Sequence, residues 1–115
     1  MQAGIVMITI TIYQNKQGQY TGFSCIGHAK YAEAGEDIVC AGVSALVLNT
    51  VNAINAFTEE IFEADTDQTS GLIDIRFQQP VGHDAKLLID TMALGLHDIQ
   101  KNYGTDYSLL NFKEV

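Results

Sequence analysis

The chain opens on an alternation. In Met7–Tyr13 the isoleucines Ile8, Ile10 and Ile12 alternate with Thr9, Thr11 and Tyr13, the pattern of a strand with one buried face. A turn is expected over Asn15–Gly18, and a second strand over Tyr20–Gly27 completes a hairpin that delivers His28 at its end. The short polar loop Ala29–Glu36 follows, with Gly35 as a hinge, and is expected to be more mobile than its flanks. From Ile38 to about Phe57 the pattern turns helical and unusually apolar. Val39, Val43, Leu46, Val47, Leu48, Val51, Ile54 and Phe57 cover more than one face, which predicts a helix buried nearly all round, between layers or against a second subunit.

A strand near Glu60–Ala64, a turn through Asp65–Gly71 and a strand over Leu72–Phe77 come next, and Pro80 and Gly82 then break the chain. A second helix from about Asp84 to Tyr103 carries the stripe Leu88, Met92, Leu96, Ile99 and Tyr103 and ends at Gly104. The strand Tyr107–Lys113 closes the chain. The order ββαββαβ predicts an α/β fold with a mixed β-sheet and two main helices, although strand order is not legible from the pattern. No repeat, low-complexity tract or linker interrupts it.

With 115 residues, 47% of them hydrophobic, the chain is long enough for one core and too short for two, so residues 1–115 form a single domain. Residues 1–6, ahead of Met7, read as an N-terminal extension without an assigned role. The formal net charge of −8 argues against direct nucleic-acid binding, which relies on Lys and Arg to displace counterions, and favours a basic partner. Two cysteines without a secretion signal point to free thiols in a reducing, cytoplasmic compartment, and no apolar run is expected to span a membrane.

The candidate chemistry lies in Gly27–Gly42, GHAKYAEAGEDIVCAG, where a histidine ends a strand and a cysteine starts a helix. If Asp37 is the N-cap, Cys40 is the third helical residue, within reach of the free amides and partial positive charge that favour a thiolate. His28 would take the thiol proton and return it to the departing amine, while first-turn amides hold the oxyanion. Asp37 caps the helix ahead of any part in orienting His28, and Ser44, four residues beyond Cys40, lines the same face.

Blander readings stand beside this one. A cysteine near a helix start is usually a small buried apolar residue, a strand-end histidine is usually a polar surface group, and Asp37 is an ordinary cap in most proteins. A zinc site built on Cys25, His28 and Cys40 ranks low. Residues three apart along a strand point to opposite faces, and no fourth soft ligand is present. No metal and no cofactor is therefore expected. Cys25 shares a face with Phe23 and belongs to the core, while His83 and His97 read as surface residues.

The GHA of Gly27–Ala29, then Tyr31, Gly35 and the DIVCAGVSAL of Asp37–Leu46, resemble the signature of the ribosomal-processing cysteine protease (Prp) family of Firmicutes and their relatives. The family implies an endopeptidase that removes the N-terminal extension of a bacterial large-subunit ribosomal protein, the twenty-seventh, cutting after a phenylalanine pair. Carried onto this sequence, His28 and Cys40 are the catalytic pair, with Gly27, Tyr31, Gly35, Asp37 and Ser44 supporting them or binding substrate. Tyr31 and Ile38 are candidates for an apolar pocket. The resemblance also implies the basic precursor extension as partner and a homodimer, for which the first helix offers Val47, Leu48 and Val51. The alternative from another class is a noncatalytic homodimeric module that binds a basic ribosomal protein.

Overall fold

A computed structural model describes residues 8–27, 34–104 and 108–115, with the backbone alone for 34–37. Five strands and two helices follow the expected order: β1 Ile8–Gln14, β2 Tyr20–Ile26, α1 Ala34–Phe57, β3 Phe62–Asp67, β4 Leu72–Phe77, α2 His83–Tyr103 and β5 Ser108–Glu114. The strands make one mixed sheet in the order β3-β4-β2-β1-β5, in which only the β1–β5 pair is parallel.

Register explains the layering. Pairing Ile10 with Cys25 and Leu110, Ile12 with Phe23, and Phe23 with Ile75 lines the apolar members of each strand on one face. That face meets Val39, Val43, Val47 and Ile54 of α1 and Ala85, Ile89, Met92 and Leu96 of α2 in a single buried cluster. The opposite face is polar. There the Tyr13 hydroxyl and Ser24 Oγ lie 3.1 Å apart, and the Arg76 guanidinium sits over the Tyr13 ring while bonding Asp74 at 2.9 Å. An antiparallel sheet with one dry and one wet face reads as the alternation that opens the sequence.

Two expected boundaries move. Asp65–Asp67, expected to turn, continue β3, pairing with Asp74, Ile73 and Leu72. They tolerate the strand because β3 is an edge whose side chains reach water. Helix α1 begins at Ala34 rather than after Asp37, since Ala34 and Glu36 favour helix enough to outweigh Gly35. Gly35 is thus helical, not a loop hinge, and Asp37 is the fourth helical residue, not the cap. The rest of the loop expected to be mobile, residues 29–33, lies outside the described residues.

Helix α1 is also less covered than its composition suggests. It lies on one face of the sheet, so its outer side, with Ile38, Ala41, Ala45, Leu48 and Asn52, is exposed, and Phe57 stands out at its end. Val47, expected near a subunit contact, is fully buried in the core instead. The segment Ile38–Phe57 contains no charged residue and, at 20 residues with a mean hydropathy of 1.6, is long and apolar enough by length and composition to cross a membrane, contrary to expectation.

Helix α2 is tied down at three places. The Glu60 carboxylate accepts from the Gly82 amide at its start (2.8 Å), and Gly104, at φ 92°, closes its end by donating to the Gln100 carbonyl (2.8 Å). Midway, the Tyr20 hydroxyl of β2 donates to Asp90 at 2.5 Å while Lys86 holds the other carboxylate oxygen at 2.7 Å. Burial, followed by the bond to Asp90 and its charge, pushes the Tyr20 hydroxyl up to about 12. Burial alone would raise Asp90, but the bonds from Lys86 and Tyr20 outweigh it and hold the carboxyl below its ordinary value.

Candidate active site

The end of β2 and the start of β4 pair at one end of the sheet, and Cys40 of α1 packs against the core cluster to which Cys25 of β2 belongs. The last β2–β4 pair is Cys25–Ile73, and one further tie extends the ladder: the Gly27 amide donates to the Ser70 carbonyl at 3.1 Å. Gly27 has φ 107°, a left-handed conformation that a side chain would strain. Its neighbour His28, together with Tyr31, lies outside the described residues.

Cys40 packs against the edge of the core and is only partly buried, and Ser44, one turn on, is also partly buried. Because α1 starts at Ala34, Cys40 is its seventh residue and sits in the second turn. A helix leaves free the amides of its first four residues, here 34–37, so the amides expected to serve an oxyanion belong to the turn before Cys40. Ile38, two residues before Cys40, is 58% exposed.

The second thiol is different in kind. Cys25 faces the core, as expected, with 4% of its surface exposed. Burial first, and the charge of Cys40 second, push its thiol up to about 11. A buried thiol held protonated is chemically quiet. Cys40 packs against the buried cluster to which Cys25 belongs.

Other clefts open away from Cys40. Two of about 300 and 340 Å³ open at the far end of the sheet, where Glu59, Glu60 and Gly82 line both. Their walls mix carboxylates and side-chain amides with Phe57, Ile61 and Pro80, and no cysteine lines them. The turn itself was expected within Asp65–Gly71, but its bond to Gly27 was not, because the Ser70 carbonyl and the Gly27 amide stand 43 positions apart in the sequence.

Known proteins resemble this chain along nearly its whole length. Residues 7–108 match the family model described as cysteine protease Prp. The ribosomal processing cysteine protease Prp of Staphylococcus aureus is 37% identical over 107 residues, covering 93% of this chain and all of that protein. That of Bacillus subtilis is 33% identical over 101 residues, covering 84% and 90%. A crystal structure of the S. aureus protease with a covalently linked product peptide superimposes with a TM-score of 0.81 at 37% identity, over 92% of this chain and 99% of that one. The noncatalytic reading therefore falls. With a family model matched over residues 7–108 and relatives 33–37% identical along most of their length, this chain is a cysteine protease that belongs to the Prp family of ribosomal-processing proteases.

Proposed function

We infer that this chain removes the N-terminal extension of a bacterial large-subunit ribosomal protein, the twenty-seventh, by cutting after a phenylalanine pair. Cys40 is the nucleophile. The observation that carries its assignment is the contrast between the two thiols: Cys25 is sealed in the core and pushed up to about 11, whereas Cys40 reaches the surface at the end of the sheet that leads into His28. The relatives point the same way, since the S. aureus protease has been crystallised with a covalently linked product peptide.

In this reading His28 takes the proton of Cys40 Sγ as sulfur attacks the scissile carbonyl, then gives it to the departing amine. Water, deprotonated by the same imidazole, hydrolyses the thioester and frees the thiol. Gly27, Tyr31, Gly35, Asp37 and Ser44 are assigned to supporting the pair or binding substrate. The net charge of −8 suits a basic precursor in the cytoplasm. The uncharged outer face of α1, centred on Leu48, serves a homodimer.

The test is a peptide spanning the precursor extension, followed by mass spectrometry. Cys40→Ala abolishes the cut while binding persists, His28→Ala loses on the order of a hundredfold to ten-thousandfold in turnover, and Cys25→Ser stays active. Normal cleavage by Cys40→Ala removes the assignment.

A further inference from the structure

The residue before His28 is held by a turn that the proposed chemistry does not otherwise use. Past the Cys25–Ile73 pair, the bond from the Gly27 amide to the Ser70 carbonyl, 3.1 Å, is the only backbone tie among the described residues that joins the end of β2 to its β4 side. Ser70 is itself fixed by Asp67. One oxygen of that carboxylate accepts from the Thr69 amide at 3.0 Å, and the other accepts from Ser70 Oγ at 3.1 Å. Gly71, at φ 67°, then turns the chain back into β4. A chain of contacts thus runs from Asp67 through the Ser70 carbonyl to Gly27, which stands at φ 107° and directly precedes His28 in the sequence.

We propose that the β3–β4 turn positions the catalytic histidine, with Asp67 as the positioning residue that acts through Ser70 and Gly27. The proposal rests on reading His28 as the catalytic base. Proton transfer between His28 and Cys40 depends on reach and angle, and a displacement of about 1 Å is able to cost on the order of a hundredfold in rate. Asp67 is exposed and belongs to neither the core nor the cysteine's helix, so its removal leaves the hydrophobic cluster intact. What it releases is the carbonyl to which Gly27 is pinned. The device works through hydrogen bonds rather than charge, because both Asp67 oxygens serve as acceptors within the turn.

The experiment compares Asp67→Ala, Asp67→Asn and Ser70→Ala on the peptide substrate, with His28→Ala alongside and the pH dependence of Cys40 alkylation as a second readout. Asp67→Ala is expected to lower kcat on the order of tenfold at unchanged KM. Its alkylation profile should move toward that of His28→Ala, while its melting curve stays near the parent's. Asp67→Asn, which keeps the acceptor for the Thr69 amide and a polar partner for Ser70, should restore most of the rate. Ser70→Ala, which loses one side-chain bond but keeps the carbonyl, should show a smaller loss. The inference is overturned if Asp67→Ala has the parent's kcat and alkylation profile, if its loss appears in KM alone, or if Asp67→Asn is equally impaired. An inactive His28→Ala beside an unaffected Asp67→Ala sinks this inference alone. An active His28→Ala sinks the reading on which it rests.

Discussion

Brief treatment of the folded protein with iodoacetamide at pH 8 separates the two thiols by chemistry and by access. Cys25 is raised from 9.0 to about 11. At pH 8 an ordinary thiol of pKa 9 is about one-tenth thiolate, whereas one of pKa 11 is about one-thousandth, so burial removes roughly a hundredfold of the reactive species before any steric effect is counted. Steric exclusion multiplies this, since only 4% of Cys25 is exposed. The folded protein should therefore gain one carbamidomethyl group, on Cys40, and gain a second only when denaturant opens the core. Timed quenching and peptide mapping by mass spectrometry give both rates directly. If Cys25 is alkylated in the folded state within a few-fold of the rate at Cys40, its placement in the core is wrong, and with it the argument that assigns the nucleophile.

Three further outcomes are expected. A thiol whose folded pKa is raised keeps its stabilisation below the unfolded value and loses it as pH climbs, so urea stability should be full below about pH 9 and fall by about 2–3 kcal/mol as Cys25 ionises through about 11; Tyr20, raised to about 12, adds to the decline in the same direction, and a flat alkaline limb would contradict both. Tyr20→Phe removes the 2.5 Å bond to Asp90 and should cost about 1.5–3 kcal/mol by urea titration, the range for a hydrogen bond to a charged group; a loss below about 0.5 kcal/mol, the scale of an ordinary surface substitution, would show that the bond contributes little. Leu48→Glu places a charge on the exposed, uncharged face of α1; if the parent is the homodimer proposed above, this variant should be a monomer by light scattering with little change in melting temperature, and a monomeric parent removes the dimer proposal while an unchanged dimer mass moves the contact elsewhere.

The elements that were legible are those whose pattern has one explanation. The Ile8, Ile10, Ile12 alternation faces the core as its spacing implies, and of the stripe Leu88, Met92, Leu96, Ile99 and Tyr103, Met92 and Leu96 are buried, Leu88 and Ile99 are partly buried, and Tyr103, at the helix end, is exposed. Where two explanations competed, the less local one won. Asp65–Asp67 look like a turn until an edge strand is considered, and Asp37 looks like a cap until Ala34 and Glu36 carry the helix past it. The apolar count of α1 overstated its burial because a helix of 24 residues lying on one sheet turns only one side inward. The His28–Cys40 motif is local and was visible. The Gly27–Ser70 tie joins residues that only the β2–β4 pairing brings together, and no window along the chain contains it.

The sheet has two borders, and each resists lengthening. On β5 the outward amide of Leu110 is already taken by the Gln100 side chain at 2.8 Å, so an arriving strand finds a donor occupied. On β3 it meets Glu63, Asp65 and Asp67, all exposed, whose charges repel a second copy of the same border. Unprotected strand borders are templates for further pairing, the route by which β-rich proteins polymerise. An amide plug on one side and a carboxylate fence on the other should keep this small, apolar-helixed enzyme from polymerising through its own sheet, even at high concentration.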